Sequence, residues 1–483
     1  GDYDFVIGKP KKVILPNGAW QRTEYDSFGR MVQQWDDLDG DDIAGSNNLA
    51  TLKVTYDLAT RSVKVEKRIE SGQPYTSDAI TCFDGFGREV DRIAENGSGF
   101  SRVRTDYDSR GLKAVQTNPF AGTALDCASV TDLTSIRDRS PLEYDPLGNA
   151  TKTYAKAANA SSGPYTETIF NGLTTTYLDE NRHGRIEQRT LGTATTVGKL
   201  TVTEYRGVYG QTSGPDAWTS YATTTYEYDR LNQLTKVTDH FGNQTLIGYD
   251  LGGRKTAMSD PDMGYWSYTY DAAGNLTSQK DARNVTTTLN YDSLQRLTRK
   301  TYSASYSSPA VFPEIIYEYD SHPGSDPDDP CPSNNGTGHL VRMIDELGAQ
   351  YSCYDARGRE TTTRRVVTGD SAGTYDVSRT HDALDQVTTL TYPDGETVFY
   401  GYDMNDGQLT SVCTSAGCTG GTALVTGATR TPAMATATLP LGNGYTTTYG
   451  YDYRLRLGSI TTAQGGSVRQ GVTLTYDLAS NVD

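Results

Sequence analysis

The sequence predicts an all-β chain assembled from repeated hairpins, on three observations. A Tyr-Asp pair recurs every 21 residues, turns of one grammar separate alternating strand-like runs, and the composition is rich in Tyr, Thr and Gly. The period is plainest at Tyr228-Asp229, Tyr249-Asp250, Tyr270-Asp271 and Tyr291-Asp292, and a fixed period of this size marks a repeat architecture. The step returns from His381-Asp382 to Tyr402-Asp403. Further pairs begin at Tyr25, Tyr56, Tyr107, Tyr144, Tyr319, Tyr354, Tyr451 and Tyr476, with Phe83-Asp84 as a variant.

One period explains itself physically. From Tyr226 to Asp250, two strand-like runs alternate with the four-residue turns Arg230–Gln233 and His240–Asn243, so each repeat reads as a β-hairpin. An Asp ahead of the turn accepts a hydrogen bond from a backbone NH two residues on, and a late Gly or Asn takes positive φ. The same grammar recurs from Asp26 through Gly29 to Arg30, from Asp271 through Gly274 to Asn275, and from Asp355 through Gly358 to Arg359. Side chains alternate across a strand, so Tyr226 and Tyr228 share a face, as do Trp266, Tyr268 and Tyr270. Tyr rather than Leu coats that face. Stacked hairpins are expected to bring Tyr228, Tyr249, Tyr270 and Tyr291 into one ring ladder. Because Tyr tolerates a wet side, a single curved sheet forming a thin shell or tube is favoured over a two-layer sandwich, which needs a more apolar pattern.

Composition bounds the rest. The 483 residues carry a formal charge of -16, and the hydrophobic class is 35% with 34 Tyr in it, which is too little Leu, Ile and Val for a thick core. Abundant aromatics and Thr argue against disorder. The pI near 4.8 sets the chain against nucleic acid and anionic surfaces. No apolar run approaches the roughly 20 residues of a membrane-spanning helix. The chain opens on Gly and stops inside a repeat, as a processed or truncated piece would.

The whole of 1–483 reads as one array: divergent repeats over 1–55, irregular ones with insertions over 56–225, tight repeats over 226–302, and repeats with loop insertions over 303–483. The insertions Pro309–Gly338 and Ser411–Thr431 are where binding is expected, since loops on rigid scaffolds carry function. Six cysteines form an even set. Cys413 and Cys418 flank a short Gly-containing turn, and Cys331 lies in a loop that returns towards Cys353. Cys82 and Cys127 complete the disulfide candidates, and connectivity stays open. Disulfides place the protein outside the cytoplasm.

Catalytic chemistry finds no foothold: nucleophile-elbow, zincin, P-loop and dinucleotide motifs are absent, and no catalytic, cofactor-binding or metal residue is nominated. Calcium is the one ion considered, at Asp36–Asp42 or at Asp326, Asp328 and Asp329. Counted from Asp37, the first departs from an EF-hand at its sixth and twelfth positions, Asp42 and Asn48. Seven Asn-x-Ser/Thr sequons, at Asn96, Asn149, Asn159, Asn243, Asn275, Asn284 and Asn335, arise mostly where a turn Asn runs into a Thr-rich strand.

Tyr-Asp-x-x-Gly-Arg/Asn followed by Leu-Thr and an Asp-x-x-Gly-Asn turn resembles the Rhs/YD-repeat proteins, a family that includes Rhs toxins, the B and C components of bacterial Tc toxins, and teneurin shells. The resemblance runs from about Lys9 to Asp483. It implies hairpins wound in a spiral into a hollow shell, which in toxin members encloses an effector polypeptide made as the C-terminal part of the same chain. Those members end the shell with a Gly-rich Asp-Pro-x-Gly cleavage segment. Here the comparable Asp145-Pro146-Leu147-Gly148 sits early, in an ordinary turn, which leaves self-processing without support. The expected protein is an extracellular or cell-surface, secreted bacterial scaffold that encloses or presents a polypeptide. The alternative is a filament-forming or adhesive protein whose loops contact cell-surface carbohydrate or protein. Other YD-repeat segments or chains are its expected partners.

Overall fold

The computed structural model describes residues 2–15, 19–36, 49–69, 74, 76–97, 99–122, 124–127, 139–155, 164–193, 197–303, 314–321, 326–331, 335–369, 373–419 and 421–482. Among them, strands and turns account for the regular structure, with one 3-10 turn at Ala416–Cys418 and no α-helix. In the tight repeats the strands Leu234–Thr238, Gln244–Tyr249, Lys255–Asp260, Gly264–Tyr270, Leu276–Lys280 and Thr286–Tyr291 each pair antiparallel with the next. The same neighbour-to-neighbour pairing carries one sheet from Lys12–Ile14 to Ala423–Val425, with a branch at Gly99–Tyr107, which pairs with three strands. A five-stranded sheet from Thr429 to Thr473 follows, linked to the first by the Val425–Leu441 bridge.

The sheet does not close edge to edge, because the described pairings run in a line. It curls instead, and the cause is repeated. At most tyrosines of the Tyr-Asp pairs the register shifts: Gly248 opposes Ala257 but Tyr249 opposes Lys255, leaving Thr256 over, whereas Tyr56 opposes Val63 with no shift. The shift recurs at Tyr25, Tyr228, Tyr270, Tyr291, Tyr354 and Tyr402. A bulge bends its strand and increases twist, so bulges in most repeats accumulate into curvature.

The product is a single layer with little core. The accessible surface is 27023 Å², whereas a compact globule of 52.6 kDa would expose about 18,000 Å². The curl completes a round. Asn96 and Asn118 meet residues 335 positions later, Thr431 and Tyr453. About 26 strand-to-strand steps of roughly 4.8 Å separate the first pair, giving a circumference of about 125 Å and a width of about 40 Å. The second round stacks on the first by its turns.

Candidate functional site: the repeat lock and the seam

Two arrangements hold this shape. The first is a lock built into every repeat, and it begins with the turn Asp. In Asp250–Arg254, Asp250 Oδ1 accepts from the backbone NH of Gly252 and of Arg254, both at 2.9 Å, and Oδ2 accepts from Arg254 Nε at 2.7 Å. The backbone NH and the guanidinium of Arg254 hold the Asp250 carboxyl below its usual range. Asp26, Asp292 and Asp355 are bound in the same way by Arg30, Arg296 and Arg359. Asp271 is bound by Asn275, whose side-chain amide lowers its pKa. Asp229 accepts from the NH of Leu231 and Gln233, and Asp403 from Asn405. Gly29, Gly274 and Gly358 supply φ of 73°, 94° and 79° at the fourth turn position. Asn232, Gln295 and Leu455 take the same left-handed conformation as non-glycines.

The tyrosines do not stack on one another, which corrects the ring ladder. A repeat is two strands wide, so successive tyrosines lie two strand spacings, about 9.6 Å, apart, beyond the 4.5–7 Å of ring pairs. Each hydroxyl instead donates to a backbone carbonyl of the strand before it: Tyr249 to Leu234 at 2.8 Å, Tyr270 to Lys255 at 2.8 Å, Tyr291 to Leu276 at 3.0 Å. Tyr25, Tyr354 and Tyr402 reach Pro10, Leu340 and Val387. Tyr228 lies beside a cleft with Arg189 and Arg230. The turn Arg fills the space that the ladder left open, with Arg254 over Tyr270 at 5.1 Å and Arg296 over Tyr319 at 4.5 Å, a favourable cation–π geometry.

The Leu-Thr signature has its own part in the lock. Thr235, Thr298, Thr361 and Thr410 are the residues left over at the bulges. Their hydroxyls donate to the carbonyls of Glu227, Asn290, Cys353 and Gly401 at 3.0 to 3.2 Å. A bulge strips a carbonyl of its ladder partner, and Thr restores the bond. The sequence displayed these threonines, but the bulge that requires them emerges only from the register.

The sequons at Asn149, Asn243 and Asn275 serve the turns: each Nδ2 donates to the Oδ2 of Asp145, Asp239 or Asp271 within 2.9 Å. Three disulfides link Cys82 to Cys127, Cys331 to Cys353 and Cys413 to Cys418. Ser411–Thr431 is less of a free loop than expected. Val412 and Cys413 pair with Val425 and Ala423, and Thr429–Arg430 begins the next sheet. Of the calcium candidates, Asp37–Asp42 lie outside the described residues. Asp326 is engaged by the Tyr351 hydroxyl at 2.5 Å and by Arg342 at 3.0 Å, and Asp329 accepts from the Cys331 NH. Among the described residues no group of three His, Cys, Asp or Glu could hold a metal, and no helix is long and apolar enough to cross a membrane.

The second arrangement is the seam between rounds. The turns that follow Tyr-Asp form one rim of the sheet, rim one, and the opposite turns form rim two. At the seam, rim two of residues 15–181 meets rim one of residues 356–478. Asn96 Nδ2 donates to the Thr431 carbonyl at 3.0 Å, Asn118 Nδ2 to that of Tyr453 at 2.8 Å, and Asn181 Nδ2 to Asp477 Oδ2 at 2.8 Å. The Gly97 NH donates to Asp406, the Ser101 hydroxyl to the Pro432 carbonyl, and Arg454 pairs with Glu180. Leu15, Trp20 and Arg68 face Arg357, Ala383 and Leu384 across a shared cleft. Burial here raises the carboxyls of Glu95 and Asp382, the reverse of the lowered Asp250 and Asp271. Nothing in the sequence flags the seam, since its contacts join positions roughly 300 residues apart with no shared pattern.

Against this geometry the comparisons fall into place. The RHS repeat model matches residues 228–262 and 270–306. The chain carries RHS repeats. Its fold is that of Tc toxin components. The crystal structure of TcdB2-TccC3 superposes with a TM-score of 0.83 at 17% identity, covering 100% of this chain and 27% of that one. TcdB2-TccC3-Cdc42 gives 0.82 at 16%, covering 100% and 29%. The Tc holotoxin pore of Photorhabdus luminescens gives 0.80 at 16%, with the same coverage. This RHS-repeat chain therefore spans somewhat more than a quarter of the length of the chains it matches. No curated protein sequence matches it.

Proposed function

We propose that this RHS-repeat chain is a non-enzymatic scaffold, one section of an extracellular shell that encloses or presents a polypeptide. The observation that carries the reading is the single-layer sheet, with 27023 Å² of surface, curling through a full round about a space about 40 Å wide by strand spacing. A wall of this kind spends its side chains on turns and seam and leaves both faces for solvent or cargo. Three disulfides support secretion, because such bonds persist in oxidising compartments. The resemblance of the repeats to Rhs/YD-repeat toxins supports an effector polypeptide as the cargo class. Electron microscopy of the purified natural material, combined with intact mass, tests it. The expected result is hollow particles with an additional polypeptide inside. Filled walls, or empty particles whose mass accounts for this protein alone, would overturn the reading.

A further inference from the structure

The seam closes over charge as well as over Asn side chains. The ladder that pairs Ala79 with Ala94 sets Asp78 beside Glu95 one step nearer rim two, and directly opposed residues of an antiparallel pair share a face with their Cβ atoms about 5 Å apart. Glu95 Oε2 accepts from the Asp78 backbone NH at 2.7 Å. Asp78 Oδ2 is paired with Lys64 at 2.6 Å, but its Oδ1 is buried with no hydrogen-bond partner. The other charges of this face are committed: Lys64 and Lys53 hold Glu66 at 3.1 and 2.9 Å, and Asp91 faces Arg102 and Arg104. From the second round comes Asp406, 7% exposed, whose carboxylate accepts from the NH of Gly97, two residues from Glu95, and from that of Gln408. Arg430, next to the seam residue Thr431, is turned to the Thr436 hydroxyl and the Leu409 carbonyl. Three carboxyl groups, those of Asp78, Glu95 and Asp406, thus converge at the junction of the two rounds, where among the described residues Lys64 is the cation that bears on Glu95.

We propose that Glu95 is an acid-operated latch of the seam: ionised, it repels Asp78 and Asp406 and loosens the junction, and on taking up a proton it donates its O–H to the idle Asp78 Oδ1 and lets the Asp406 turn close on Gly97. Two carboxyl groups that share one site are reconciled by sharing a proton, and the buried Oδ1 without a partner is the acceptor that such a proton needs. Burial, joined by the Asp78 and Asp406 charges, outweighs the Asp78 NH and raises the Glu95 carboxyl above its ordinary 4.5. A carboxyl raised in the folded state adds stability as pH falls through that raised value towards 4.5. The turn carboxyls of Asp250 and Asp271 are lowered instead, so they surrender their contribution only further down. Between neutrality and 4.5 the seam therefore tightens while the repeats keep their strength. The inference is independent of any cargo.

Hydrogen–deuterium exchange of the full chain at pH 7.5 and 5.5, corrected for the pH dependence of free amides, tests it at residues 91–97 and 403–408, with residues 264–280 of the tight repeats as the reference. The parent is expected to protect the seam amides several-fold more at pH 5.5, with the reference unchanged. Glu95→Gln keeps an acceptor for the Asp78 NH and offers an NH2 group to Asp78 Oδ1, so it is expected to show the acid level of protection at both pH values. Asp78→Asn removes the carboxylate that shares the proton and is expected to shrink the response at the seam. It also takes the place of Glu95→Gln if that variant does not match the parent's melting curve. Seam protection that stays flat or falls on acidification, or a full pH response retained in either folded variant, would overturn the proposal.

Discussion

The tight repeats over 226–302 and the segment from Ile80 to Cys127 belong to one sheet but are held together differently. In the tight repeats no side chain beyond Thr287 is buried, and stability is spread over ladders, turn carboxylates, bulge threonines and tyrosine hydroxyls. Between Ile80 and Cys127 it is concentrated. Ile80, Cys82 and Ile93 form a small core against Phe100, Leu125 and Cys127, the Cys82–Cys127 bond closes it, and Asp91 and Arg102 make an ion pair that is 1% exposed on both sides. The difference teaches where a thin sheet needs a core. A regular stack supports each hairpin by two like neighbours. The branch at Gly99–Tyr107 interrupts that regularity, and local packing takes over there.

The sharpest way to break the comparison is Arg102→Ala. It leaves Asp91, whose Oδ1 already lacks a partner, with only the Arg104 guanidinium at 3.8 Å, and should cost about 3–5 kcal/mol, read by denaturant unfolding. Replacing both residues by apolar ones of like volume should recover most of that loss. Removing Cys82 and Cys127 together releases a separation of 45 residues and should cost about 4 kcal/mol, against about 2 kcal/mol for Cys413 and Cys418, which lie five apart; calorimetry of the two double variants would rank them. In the tight repeats single changes should be milder. Tyr270→Phe deletes the bond to the Lys255 carbonyl and should cost about 1 kcal/mol. No measurable loss would mean that the rings, rather than the hydroxyls, hold the repeats.

Two further changes sharpen the turn account. Leu455→Gly relieves a left-handed conformation at φ 63° and should stabilise by about 1 kcal/mol, seen as a raised melting temperature. The smallest effect concerns pH. The Arg296 guanidinium and the Gly338 NH hold Asp320 down to about 2, from an ordinary 3.8. A depressed carboxyl stabilises fully above its unfolded pKa and loses that contribution as pH falls from about 4 towards 2. Being largely solvent-screened, the pair should contribute little. Asp320→Asn should therefore flatten this slope, and an unchanged acid titration would discard the pairing. Asp382, raised by burial, acts in the opposite direction, favouring the fold as pH falls.

Much of the repeat was legible in residues alone because its chemistry is local. An Asp reaches NH groups two and four residues on, and a positive φ wants Gly or Asn nearby, so turn positions and strand alternation follow from neighbours in the chain. The ring ladder failed because each hairpin sets a second strand between successive tyrosines, so rings on one face stand two strand spacings apart. The Tyr hydroxyl bonds, the bulge behind Leu-Thr and the arginines over the rings all depend on register. The cysteine candidates could be named from sequence, but their partners required the sheet to bring Cys82 and Cys127 to adjacent places. By itself, then, the sequence determined an all-β chain of repeated, punctuated hairpins with too little apolar mass for a thick core. Only the tertiary structure decided how far the sheet curls, which turns the seam covers and which it leaves bare, because small bends at each bulge must be summed over a whole round before distant rims can meet.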